Sequence, residues 1–242
     1  MTKLKNVGAA LVESIRSEQV KDLAIDLGDA GISEVFTKEA LESIPGLGIV
    51  VKTYNVFSTI QGQIYAHKIY NFFLNIHELN LDERVRVMDE ISATKGGVDE
   101  AGMLLLDLID KSDDNEKPSL IGKLFVACGF KDISAREFLK LSNIITSTYI
   151  EDLRALKNID SPQNLSEQQK SIFAANSLMT FGVKKPMKLE DGYTVGEIGR
   201  AIFDNGLSLD YEFTREAELI AEFCFDTKKT DMIASNPAFS ST

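Results

Sequence analysis

Tryptophan is absent from this 242-residue chain, cysteine and histidine each occur twice, and proline occurs five times. The two histidines, His67 and His77, are not at the i, i+4 spacing that sets two metal ligands on one helix face. They carry no metal expectation, and His67 reads as a surface or interface residue. Cys128 and Cys224 lack a CxxC spacing and sit among apolar neighbours (Phe125, Val126 and Phe130; Phe223 and Phe225). They read as small buried hydrophobes in a reducing compartment, with a disulfide or a reactive thiol as the alternative. Positive charge is also short. Lys plus Arg number 26 against 37 Asp plus Glu, a net charge of -11. Such a surface repels phosphate backbones and disfavours non-specific nucleic-acid binding, while leaving room for a local basic face.

Long apolar runs are missing too. The best stretch runs from Ile44 to Ile60, where Lys52, Asn55, Ser58 and Thr59 interrupt it. A spanning helix needs roughly 20 predominantly apolar residues, and a lysine near its centre costs about 2.5–3.5 kcal/mol. No constitutive membrane span is expected; reversible insertion, or burial in an oligomer interface, stays open. The start, "MTKLKNVGAALVESIRSEQ", lacks a signal-peptide pattern, so the expected location is cytoplasmic. No nucleophile elbow, P-loop, dinucleotide fingerprint or Cys–His signature is present. "GLG" at 46–48 has neither a preceding strand nor a third glycine. No catalytic residue, cofactor site or metal site is assigned. The acidic set Asp107, Asp110, Asp113, Asp114 and Glu116 lacks the spacing of an EF-hand and reads as a solvated helix end and loop.

What is there is helical periodicity. Leu4, Val7, Leu11 and Ile15 recur every three or four residues. Gly28 and Gly31 break the run that follows, and "TKEALESI" gives a short helix capped by Thr37. Ile44 to Ile76 reads as one long helix with Pro45 in its first turn. Leu47, Val50, Val51, Tyr54, Phe57, Tyr65, Phe72 and Phe73 lie on its apolar side. Asn80 with Glu83, and Ser134 with Glu137, form capping boxes. Lys95-Gly96-Gly97 ends one helix, and Pro118 and Gly129 bound another. The helix from Ser134 is expected to run to about Lys157. "NIDSPQN" is a linker candidate. After it, Ser166 and Gln169 cap a helix through Met179. "KKPMKLEDGYTV" then changes period, with Asp191-Gly192 as a hairpin turn signal. Thr194 and Glu197 cap a short helix, and another begins at Thr214.

Helix, hairpin and "GYTVGEIGRAI" together resemble the closing part of a winged-helix domain. Separately, "IPGLGIVVKTYNVFSTIQGQIYAHKIYNFFLNIHELNLDERVRVMDEI", "GMLLLDLIDKSDDNEKPSLIGKLFVA" and "ISAREFLKLSNII" resemble a family of small uncharacterised bacterial proteins across about residues 41–155. That resemblance implies no activity. It implies an accessory-genome setting, with mobile elements or phage defence as the association. Around the entry this chain departs from the family's more apolar pattern at Tyr54, Asn55, Ser58 and Thr59.

The expected architecture is mainly α: a multi-helix body at 1–157 with a long central helix, a winged-helix-like part at 161–210 with one β-hairpin, and a C-terminal helix and tail at 211–242. The expected function is a non-enzymatic protein-interaction or regulatory protein, through a protein partner or self-association. The interface or membrane candidates are Leu47, Val50, Val51, Tyr54, Phe57, Tyr65, Phe72 and Phe73. The alternatives are a membrane-acting effector using 44–60, and a DNA-binding regulator contacting phosphates through Lys184, Lys185 and Lys188.

Overall fold

Asn80 accepts from the Glu83 amide at 3.0 Å and receives the Glu83 carboxylate at 2.8 Å on its own N–H. Reciprocal pairs of this kind, which occupy amide donors that a first helical turn cannot satisfy, set many of the helix boundaries in this protein. The computed structural model describes residues 2–21, 44–53, 59–158, 162–183, 194–197, 199 and 209–226. Two units are present, Met1–Leu153 and Arg154–Thr242.

The first unit is helical. It contains α1 (Thr2–Ile15), a 3₁₀ turn at Glu18–Val20, α2 (Leu47–Thr53), α3 (Ile60–Ile76), α4 (Leu81–Lys95), α5 (Val98–Lys111), α6 (Lys117–Gly129) and α7 (Ala135–Ser147). The unit boundary falls within the short α8 (Ile150–Ala155). Helix α1 packs on α5 and α2, α3 packs on α6, and α7 closes on α4 and α6. The core runs through Phe73, Phe72, Phe125 and Phe138, whose rings meet edge to face at 5.7, 5.7 and 5.8 Å. Each such pair adds about 0.5–1.5 kcal/mol beyond the area it buries.

Two close helix crossings depend on glycine. A Cβ on Gly102 of α5 would run into the Gly8 backbone of α1, and one on Gly8 would run into the Asp99 carbonyl. A Cβ on Gly122 of α6 would stand 2.8 Å from the Phe72 carbonyl oxygen of α3. Only hydrogen fits between these backbones.

Expectation and structure differ at three helices: the helix from Ser166 ends at Ala175, short of Met179, which lies in a strand, and two others break where their apolar period continues. The stretch Ile44–Ile76 is not one continuous helix. Thr59 is extended (φ −136°, ψ 154°), and its hydroxyl accepts from Gly62 N–H to start α3 afresh. Likewise the helix from Ser134 stops at Ser147. Thr148 is extended, with its hydroxyl donating to the Ile144 carbonyl at 2.8 Å, and Ser147 donates there too. In both places a threonine hydroxyl offers the backbone an alternative partner, which the apolar period does not reveal. The expected helix at Thr37 lies outside the described residues.

The second unit contains 3₁₀ turns at Leu156–Asn158 and Pro162–Asn164, α9 (Glu167–Ala175), β1 (Met179–Val183), β2 (Leu209–Phe213) and α10 (Arg215–Phe225). Strands β1 and β2 are antiparallel, with Met179 opposite Phe213, Phe181 opposite Tyr211 and Val183 opposite Leu209. This pairing crosses residue 211 without a break, so the C-terminal helix belongs with the hairpin. The Asp191-Gly192 turn lies outside the described residues, and the described hairpin is the one joining 179–183 to 209–213.

Candidate functional site

The described interface candidates from the sequence all point inward. Leu47, Val50, Val51, Tyr65, Phe72 and Phe73 are buried in the first unit's own core. Tyr54, Phe57, Lys184, Lys185 and Lys188 lie outside the described residues. No helix is long and apolar enough to cross a membrane among the described residues.

Two cationic side chains of the first unit are turned inward as well. Arg84 is fully buried. Its guanidinium donates to the carbonyls of Ile15 at 2.8 Å, Ser17 at 2.7 Å and Leu79 at 2.6 Å. These are the ends of α1 and α3, where unpaired carbonyls carry the negative pole of the helix. Burial pulls the Arg84 pKa down, while Glu18 and Glu83 push it back up.

Lys117, also fully buried, meets Asp113 at 2.5 Å and the Thr146 carbonyl at 3.3 Å. Along α3, Lys68 donates to the Asp110 carbonyl at 3.1 Å, Asn71 to the Asn115 carbonyl at 2.7 Å and Asn75 to Ser119 Oγ at 2.9 Å. These residues share one face of the helix and grip the acidic loop. Asp107 is paired with Lys111 at 2.6 Å, and Asp114 accepts from the Glu116 amide at 2.7 Å. Among the described residues no group of three or more His, Cys, Asp or Glu side chains is placed to hold a metal.

Cys128 and Cys224 are both buried, and neither is in a disulfide. Burial, reinforced by the Glu90 charge, pushes the Cys128 thiol up to about 12. A neutral thiol shielded from solvent is a poor nucleophile. An open hollow of about 410 Å³ lies beside Val12, Arg16, Ser17, Gln19 and Pro45. Two of its polar groups are engaged, Arg16 Nη2 with Asp89 at 2.5 Å and the Ser17 hydroxyl with Gln19 Oε1 of the same lining.

The hairpin of the second unit is built differently. "MTFGV" and "LDYEF" each alternate, and the register puts Met179, Phe181, Tyr211 and Phe213 on one face. One end of that face is covered: Phe173 of α9 is fully buried, with its ring 6.4 Å from Phe213. The other end is open. Phe181 is 62% exposed and Leu209 45% exposed. Phe181 meets Tyr211 at 6.1 Å, and Lys170 Nζ, paired with Glu167 at 2.6 Å, stands 5.3 Å from the Tyr211 ring centre.

The opposite face carries Asp210 and Glu212, both exposed. Their cross-strand neighbours are Gly182 and Thr180, which supply no counter-charge. Phe181, Leu209, Tyr211, Asp210 and Glu212 were not among the sequence-derived candidates. The strict alternation of the two five-residue runs was the signal that marks them. No family model, curated protein or solved structure matches this chain.

Proposed function

We propose that this is a non-enzymatic protein-interaction or regulatory protein that engages its partner through the hairpin of its second unit. The observation that supports the reading is the open end of the apolar hairpin face, where Phe181 and Leu209 stand in solvent beside Tyr211. Apolar side chains gathered on a strand pair with little cover are a common basis for docking. Together with α9 and the Thr194–Glu197 cap, in which the Glu197 carboxylate accepts from the Thr194 amide at 2.8 Å, the hairpin supports a winged-helix-like reading of this unit. Such units serve as protein-docking modules as well as nucleic-acid readers. The exposed Asp210 and Glu212 favour the former, because they repel phosphate. From the resemblance to accessory-genome proteins, the setting we propose is bacterial regulation or phage defence. The membrane alternative is weakened by the inward burial of Leu47, Val50 and Val51.

The test is site-specific photo-crosslinking in the native cell. A benzophenone amino acid replaces Phe181, and in a control replaces Thr180 on the opposite face of the same strand. A discrete adduct from position 181 that is absent from position 180 supports the reading. No adduct, or the same adducts from both positions, sinks it.

A further inference from the structure

Strand β2 reads Leu209, Asp210, Tyr211, Glu212, Phe213, a strict alternation of apolar and acidic side chains. Its inner edge is paired with β1. Among the described residues the sheet has only these two strands, and no backbone hydrogen bond joins β2 to anything outside it. The turn at Pro162–Asn164 packs near β2 without such a bond. Among the described residues, the outer edge of β2 therefore carries amide and carbonyl groups with no strand partner, the groups an added strand would use.

Side chains directly opposite each other on neighbouring strands interact most strongly, and like charges there are destabilising. A strand laid on this edge meets Leu209, Tyr211 and Phe213 on one face and Asp210 and Glu212 on the other. Neither acidic side chain has an ion pair within the sheet, since β1 offers only Gly182 and Thr180 opposite them. We propose that the outer edge of β2 binds an extended protein segment that alternates apolar residues with Lys or Arg, by strand addition. The apolar side chains extend the Phe181–Tyr211 surface, and the basic ones neutralise Asp210 and Glu212. A second copy of β2 is disfavoured as the occupant by the same rule, because in the register that matches its apolar face its carboxylates would face these. The inference rests on the interaction reading above and names the chemistry of its partner.

Three labelled octapeptides test it by fluorescence anisotropy with the full chain: alternating valine and lysine, alternating valine and glutamate, and the valine–lysine peptide N-methylated at every residue. The expected result is at least tenfold tighter binding of the lysine peptide than of the glutamate peptide, and at least a tenfold loss on N-methylation. N-methylation keeps the charge and removes the backbone donors, so equal binding of the methylated peptide overturns strand addition. In the double variant Asp210→Lys with Glu212→Lys, the preference inverts toward the glutamate peptide. An unchanged preference in a variant with wild-type circular dichroism overturns the charge rule. Absence of peptide binding to the wild-type chain overturns the proposal without any variant. Concentration-dependent dimerisation that shifts the 209–213 amide resonances overturns it in favour of self-association. A position-181 crosslink in cells together with failed peptide binding leaves the interaction reading standing and removes this one alone.

Discussion

The two units handle their exceptional residues in opposite ways. The helical unit turns charge inward: Arg84 and Lys117 are both fully buried and both end on backbone carbonyls. The hairpin unit turns apolar surface outward, with Phe181 and Leu209 exposed and acidic side chains alternating behind them. In the first, unusual residues fasten the chain to itself. In the second they remain on offer. The same residue type takes both roles, core at Phe72, Phe125 and Phe173 and surface at Phe181 and Phe130.

Four measurements break or sharpen this contrast. The largest effect belongs to Arg84→Ala. It leaves the carbonyls of Ile15, Ser17 and Leu79 unsatisfied, at about 1–3 kcal/mol for each buried group, so a total loss of about 4 kcal/mol is expected in urea unfolding. A loss under 1 kcal/mol would show that Arg84 is no fastening.

Next comes Gly102→Ala, which forces α1 and α5 apart. Overpacking of this kind costs roughly 3 kcal/mol, and a melting temperature equal to wild type would refute the close crossing.

The third is a pH effect. The buried Cys128 thiol holds its proton to about 12, against 9.0 when free. A raised folded pKa gives stability that is complete below pH 9 and declines as pH rises from there toward 12. Relative to Cys128→Ala, the wild type loses about 1 kcal/mol between pH 8 and pH 10. Parallel stability curves for the two proteins would place the thiol in solvent.

The smallest is Phe181→Ser, expected to change stability by less than about 0.5 kcal/mol, as for exposed sites generally, while weakening binding of the valine–lysine peptide. A large destabilisation would make Phe181 part of the core and erase the contrast.

Local chemistry was legible in the chain. The caps at Asn80, Ser134, Ser166 and Thr194 could be read because donor and acceptor lie three residues apart. Gly96 ends α4 in the left-handed conformation (φ 92°), as a Lys-Gly-Gly run suggests. Non-local partners were illegible. Arg84 sits in "NLDERVRVMDEI" among charges that look like a solvated face, and its burial depends on carbonyls from α1. Gly8 and Gly102 gain meaning only when their helices cross. Strand β2 follows a run that reads as helical and pairs with residues far earlier in the chain, so its five-residue alternation was passed over. Only the second half of the expected Ile44–Ile76 helix forms as an unbroken element, Ile60–Ile76, and which of its faces is covered is set by α6 and α5, beyond the reach of periodicity.

Arg84 has one more consequence. Its three acceptors come from two stretches far apart in the chain, residues 15–17 and residue 79. The guanidinium is satisfied only when both are present together, so it behaves as a logical AND between the first helix and the rest of the unit. A half-assembled body holds an unsolvated cation and reopens. Cooperativity is thereby written into a single side chain, and a protein shortened by its first 17 residues would not be a trimmed copy of this fold but an unfinished one.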